Sequence, residues 1–478
     1  MPTILGAGDS DTGYEIDNGL VFNGVNQWMT HTRGTATDEK LFTFSAWIKL
    51  GQAGILENGT IFGAGDDGNG YTGDMFALQT NGLIKQGDHD DSTDNHNVRT
   101  SALLRDPAAW YHVVVAADST QGTSSNRIKI YVNGTQQTDL AASTYPSQNI
   151  TFDCNTNGQV LNIGRSQNGE NHTYWDGYMS EINFIDGQQL DPSYFAENND
   201  NGIWVPKLYS GTYGNNGFFL EFQQTGTSAN ASGIGADTSG NGNHFAVNNI
   251  GSNQPTIDTP TNNYCVLNQL YRATTGSTAR PTITGGNLSV ARVADSSTQS
   301  TFGMANGKWY FEVRYNSGQV DGYPQIGYSK SGGINAGEMV GFHTPSGSNY
   351  RAKIAGTVVS NAFSGGISSN DILGFYMDID NGTLIVHKNG SDFMGSGASS
   401  GLDFSSASFS NDTGFFHVHY NTNANSAHSE DFNFGGAITF TVSSSNADAN
   451  GHGKFEYSPT LSGTDYYAIN SKNLAEFG

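Results

Sequence analysis

Apolar and polar residues alternate with a period of two along almost the whole chain, in short runs bounded by Gly, Asn and Asp, while the 3.6-residue period of an amphipathic helix is nearly absent. Such a chain builds half-buried strands. Phe42, Phe44, Ala46, Ile48 and Leu50 alternate with Thr43, Ser45, Trp47 and Lys49, and Ile128, Ile130 and Val132 alternate with Lys129 and Tyr131, so each run turns one face to a core. Residues 110–116 are more continuously apolar, as a central strand covered on both faces requires. Val132-Asn133-Gly134-Thr135 predicts a type I′ hairpin turn, and Asp380-Asn381-Gly382 between the runs 372–380 and 383–390 predicts another hairpin. One short helix is expected at Asp191–Glu197, with Asp191 as N-cap and Pro192 at the first helical position. The fold class that follows is all-β, with two antiparallel β-sandwich (jelly-roll) domains.

A chain of 478 residues is long for one core. The strand Phe218–Phe222 and the Gly/Asn-rich turn Asp237–Asn243 extend a first sandwich over residues 1–250. Pro255, Pro260 and Pro281 amid Asn, Thr and Ser make 251–284 the expected linker. A second sandwich over 285–442 opens with Lys308-Trp309-Tyr310-Phe311-Glu312, and the Ser/Asn-rich residues 443–478 read as a C-terminal extension.

Charge narrows the partners. With 21 Lys+Arg against 44 Asp+Glu the formal net charge is −23, so nucleic acid and anionic membranes are repelled. No apolar run approaches 18 residues, and the opening Met1–Ala7 has neither a basic nor an apolar signal region, so no membrane insertion and no signal-peptide export are expected. Cys154 and Cys265 are read as two isolated buried thiols.

Several short motifs fail on context. Gly397-Ala398-Ser399-Ser400-Gly401 has no following helix to form a nucleophile elbow, and Gly63-Ala64-Gly65-Asp66-Asp67-Gly68 runs into another turn rather than a phosphate-binding helix. Asp9-Ser10-Asp11 starts like a calcium loop but lacks its remaining ligands. His417 and His419 share a strand face, and with His428 they could ligate a metal, but structural hydrogen bonding is the favoured reading.

Larger patterns are more informative. Leu20-Val21-Phe22-Asn23-Gly24, Phe44-Ser45-Ala46-Trp47-Ile48, Trp110-Tyr111-His112-Val113, Tyr131-Val132-Asn133-Gly134, Leu161-Asn162-Ile163-Gly164 and the run 175–182 occur in an order that resembles the concanavalin A-like, laminin-G-like jelly-roll family over residues 15–200. Lys308-Trp309-Tyr310-Phe311-Glu312, Ile326-Gly327-Tyr328, Asp380-Asn381-Gly382 and Phe432-Asn433-Phe434-Gly435 resemble SPRY domains over 300–436. The tandem arrangement is similar to bacteriophage tail-fibre and appendage virion proteins.

That resemblance implies a non-enzymatic virion protein, assembled in bacterial host cytoplasm, whose loops attach to a host-surface glycan or protein. Other virion proteins are its expected partners and a homo-oligomer, a trimer by preference, its expected state. A capsid or tail decoration protein is the alternative. Related glycosidases carry Glu-x-Asp-x-x-Glu on one strand, whereas here Glu15-Ile16-Asp17 is followed by Leu20 where the acid/base should stand. No catalytic residue is therefore assigned. Folds of the laminin-G type often hold a rim Ca²⁺, for which Asp66, Asp67, Asp88 and Asp90 are candidates, with acidic surface loops as the alternative reading. An aromatic face beside Asn and Asp amides or carboxylates is the chemistry of a sugar site. Tyr71, Asn171, Tyr174, Trp175 and Asp176 have that make-up, although Trp175 could equally start the next strand as core, and Tyr323 and Tyr350 are the counterparts in the second domain.

Overall fold

The computed structural model describes residues 13–52, 58–65, 73–80, 82–87, 96–166, 173–271, 281–291, 296–316, 324–329, 339–343, 351–407, 413–420, 429–437 and 439–478. The chain is nearly all β and divides between Asn262 and Asn263 into two units.

In the first unit one antiparallel sheet runs in the order Thr135–Gln136, Ile128–Val132, Trp110–Asp118, Leu41–Leu50, Asp176–Asp186, Gly19–Asn23, Pro255–Thr256, with Phe218–Leu220 also on Asp176–Asp186. The facing sheet runs Leu140–Thr144, Asn97–Thr100, Leu83–Gly87, Asp74–Gln79, Gly59–Ala64, Val160–Ile163, Trp28–Thr32, Ala246–Asn248. Alternation decides what lies between them. Phe42, Phe44, Ala46, Ile48 and Leu50 from the first sheet meet Phe62, Phe76, Leu161 and Ile163 from the second in one buried core. Phe44 and Phe62 approach to 4.9 Å between ring centroids. Asn133 (φ 46°) and Gly134 (φ 77°) make the type I′ turn that the sequence predicts.

In the second unit a nine-stranded sheet has Lys308–Tyr315 at its centre, paired with Ile372–Asp378 and Ser429–Asn433. A six-stranded sheet contains Phe415–Tyr420 and Pro324–Ser329. Phe311 links the layers, lying 4.7 Å from Phe375 in its own sheet and 4.2 Å from Phe416 in the other.

Four expectations are revised. Asp191–Glu197 is a single 3-10 turn, Pro192–Tyr194, followed by the strand Ala196–Asn198; Asp191 does accept from the Ser193 N–H at 2.9 Å, but no second turn follows to sustain a helix. The 372–390 hairpin closes through the four residues 379–382, since Asp378 pairs with Thr383 and its carboxylate holds the Asn381 N–H; the two-residue turn is instead Asn389-Gly390, both at positive φ. Residues 251–262, read as linker, complete the first unit: Pro255–Thr256 extends the first sheet and Asp258 is buried. Residues 443–478, read as an extension, complete the second. Tyr467–Ala468 pairs in parallel with the start of Lys308–Tyr315, Phe455 and Ile469 are wholly buried, and the helix Ser471–Phe477 is capped by the Asn470 side chain.

A buried carboxylate ties that last segment down. Glu312 accepts from Tyr310 Oη (3.0 Å), Asn433 Nδ2 (3.0 Å) and the N–H groups of Glu456 (3.0 Å) and Tyr457 (2.8 Å). Burial pushes it up to about 7 against the pull of these four donors.

Candidate functional site

The outward face of the first unit's first sheet is where an open jelly roll would offer a groove. Thr43, Ser45, Trp47 and Lys49 point there from one strand and Trp110, His112 and Val114 from the next, yet all are buried. Two segments roof them. Trp204 Nε1 donates to His112 Nδ1 (3.1 Å) while His112 Nε2 meets Ser45 Oγ (2.8 Å), and Thr43 Oγ1 donates to the Gln188 carbonyl. At the other end Asp258 engages Lys49 and Trp110. Burial pushes His112 down to about 3, so its ring is a neutral structural hydrogen-bond relay. These seven side chains are thus covered within the chain rather than offered to solvent.

The outward face of the second sheet is different. In Trp28–Thr32, Met29 lies in the core, so Trp28 and Thr30 face outward. Gly164 and Trp175 are joined by the Trp175 N–H to the Gly164 carbonyl (2.9 Å), and Ser166 and Thr173 by the Ser166 N–H to the Thr173 carbonyl (3.1 Å). That ladder sends Trp175 inward and Tyr174, opposite Arg165, outward. The Arg165 guanidinium lies 4.2 Å from the Trp28 ring centroid, and Tyr174 stands 6.1 Å from Trp28 at 52°. Burial lowers the Arg165 guanidinium, and a hydrogen bond to Tyr174 draws it back. Asn248, directly opposite Trp28 across the strand pair, carries a buried Nδ2 that no acceptor among the described residues meets. Two half-buried rings and a guanidinium thus share one face, a set that can stack on a flat apolar ring face and read hydroxyls at its edge.

Of the residues selected from sequence, Tyr174 belongs to this cluster. Trp175 is fully buried in the core, and Asp176 is 1% exposed, wedged between Gly24 and Gly51, where added Cβ atoms would fall 2.7 and 2.5 Å from its side chain. Tyr71, Asn171, Tyr323, Tyr350, Asp66, Asp67, Asp88 and Asp90 lie outside the described residues. Among the described residues no three His, Cys, Asp or Glu side chains converge as a metal centre. His417 is buried against Tyr271, and His428 lies outside the description. Trp28, Arg165 and Asn248 were not singled out by the sequence. The trace they leave there is the alternation Trp-Met-Thr-His-Thr, which places an aromatic on the polar face of a strand.

Leu20 is buried in the core, and Glu15 and Asp17 are exposed and precede the strand Gly19–Asn23. Glu181 is a carboxyl that the sequence reading did not flag. It sits at a β-bulge with φ 49°, accepts from Tyr14 Oη, and is pushed up to about 8 by burial and by Glu221. At 5% exposure it is buried at the bulge. Among the described residues no helix is long and apolar enough to cross a membrane.

A comparison with curated protein sequences returned no match. Among solved structures the chain is similar to a heptameric SAP-like pentraxin of Limulus polyphemus (18% identity, TM-score 0.28, 37% of this chain and 78% of that one). It is similar too to domains LG4-5 of the mouse laminin alpha1 chain (11%, 0.29, 91% of each) and to the SPRY domain of human HERC1 (10%, 0.24, 32% and 90%). Over residues 23–192 the chain matches the family model of the concanavalin A-like lectin/glucanases superfamily, which identifies a concanavalin A-like, laminin G-like domain in the first unit.

Proposed function

We propose that the protein is a non-enzymatic glycan-binding virion protein of a bacteriophage, a tail-fibre or appendage adhesin that works as a homo-oligomer alongside other virion proteins. The observation that carries the glycan part is the cluster of Trp28, Arg165 and Tyr174 on one outward sheet face. Ring stacking supplies the contact area, and the guanidinium orients the hydroxyls. The virion part is supported by the tandem order of the concanavalin A-like and SPRY-like motifs. The host-surface glycan is the favoured receptor, with a surface protein as the other candidate.

The test is adsorption of fluorescently labelled protein to intact candidate host cells, with the native mass of the same sample. An adsorbing trimer, released by free saccharide and weakened by Trp28→Ala, supports the reading. Protein that ignores every cell but coats stripped virions overturns it in favour of the decoration role. Release of reducing sugar would contradict the non-enzymatic part.

A further inference from the structure

The second unit has a cleft of about 360 Å³ at the junction of three segments: the start of the Lys308–Tyr315 strand, the 379–382 loop and the chain's last fifteen residues. Lys308, Asp380, Thr464, Asp465, Tyr467 and Phe477 line it. The Tyr467 and Phe477 rings stack face to face with centroids 3.9 Å apart at 17°, so each covers one face of the other and an outer face of the pair is left as the aromatic wall. The carboxylates are only half used. Asp380 accepts the Gly307 N–H through Oδ1 (2.8 Å) and Asp465 accepts Thr460 Oγ1 through Oδ1 (2.8 Å), so among the described residues one oxygen of each is open. Lys308 is already neutralised by Asp378, which leaves the cleft with a net negative charge.

The wall is held in place before any ligand arrives. Gly307, at φ 90°, allows the Phe477 carbonyl to approach where a Cβ would stand 2.7 Å from it. Asn473, in the terminal helix, donates to Asp448 (2.7 Å) and to the Ala468 carbonyl (2.9 Å), and Trp309 pairs with Tyr467 across the parallel bridge. A preorganised aromatic wall loses little freedom on binding.

We infer that this cleft is a second saccharide site, independent of the Trp28 face, which takes a neutral or amino-substituted sugar ring and rejects acidic ones. The apolar face of the ring stacks on the Tyr467–Phe477 wall, and vicinal hydroxyls donate to the open oxygens of Asp380 and Asp465 in charge-assisted hydrogen bonds. Two unneutralised carboxylates repel a uronic or sialic acid.

Saturation-transfer NMR on the full chain with galactose, N-acetylglucosamine, glucosamine, glucuronic acid and sialic acid tests this, using wild type, Trp28→Ala, Phe477→Ala and Asp465→Asn. The inference predicts binding of neutral or amino sugars that survives Trp28→Ala and weakens roughly three- to tenfold in Phe477→Ala, the worth of one aromatic contact. Asp465→Asn, which keeps the shape and side-chain size, should also weaken it and reduce the discrimination against glucuronic acid. Binding abolished by Trp28→Ala and untouched by both other variants overturns the second site while leaving the first intact. No saccharide binding in any form overturns both, and binding that survives Trp28→Ala and is lost in Phe477→Ala overturns only the first.

Discussion

Lys49 Nζ lies 2.7 Å from Asp258 Oδ2, with the side chains 0% and 1% exposed, and Trp110 Nε1 donates to the other Asp258 oxygen at 3.1 Å. This buried pair fastens residues 251–262 to the first sheet. Removing one partner strands a charge in the interior. Asp258→Ala should therefore cost about 3–5 kcal/mol, read as a lower melting transition of the first unit by calorimetry. The double variant Lys49→Met with Asp258→Leu should recover most of that loss. A single variant as stable as wild type would contradict the role of this pair.

Truncation after Val442 should unfold the second unit. It removes Phe455, Ala468 and Ile469 from the core and deprives Glu312 of two of its four donors. Loss of near-ultraviolet circular dichroism from the second unit's aromatics and insolubility are the expected result. A soluble, cooperative protein ending at 442 would show that 443–478 is an appendage.

These two segments also mark where the sequence was hard to read. Alternation is a local property, so the strands Leu41–Leu50 and Trp110–Asp118 and the Asn133-Gly134 turn were legible residue by residue. Pro255–Thr256 and Tyr467–Ala468 are two-residue strands, too short to display any period. They are held by distant partners such as Lys49 and Trp309, which composition does not reveal. The binding face shows the same division. Tyr174 was visible as an aromatic beside polar residues, whereas Trp28 and Arg165 join it only because Trp28–Thr32 pairs with Val160–Ile163. Trp175 carried the same composition and went into the core, because its place in the ladder gave it the inward side.

Glu181 gives the first unit a pH signature. Its ordinary value is 4.5 and burial pushes it up to about 8. Between these values the folded chain keeps a proton that the unfolded chain has released, so stability falls as pH rises through that window and is flat above it. The slope contributed is at most about 1.4 kcal/mol per pH unit. Chemical denaturation of wild type and Glu181→Gln between pH 5 and 9 isolates it. The difference in stability between the two should move in favour of the Gln variant as pH rises, and parallel profiles would contradict the assignment.

Phe222 and Asn249 hold left-handed backbone conformations at φ 58° and 54° in the segments flanking the 237–243 turn. Asp237 stabilises that turn by accepting from the N–H groups of Phe219 (2.9 Å), Ser239 (2.9 Å) and Asn243 (2.8 Å). Asp237→Ala leaves three donors short of an acceptor in a 7% exposed position. A loss of about 2–3 kcal/mol is expected in urea titration, and a change below about 0.5 kcal/mol would contradict the turn's structural role.

The most direct test of the central claim is a glycan array probed with the wild-type chain and with Trp28→Ala. The ring of Trp28 is half-buried and on the outward face, so its removal should leave the fold and its melting transition close to wild type. The account predicts selective binding by wild type to one class of glycan and at least a tenfold loss on that class for Trp28→Ala. Equal binding by the two proteins on every class of glycan, or none by either, would contradict it, whereas binding at the Tyr467–Phe477 cleft is expected to persist in Trp28→Ala.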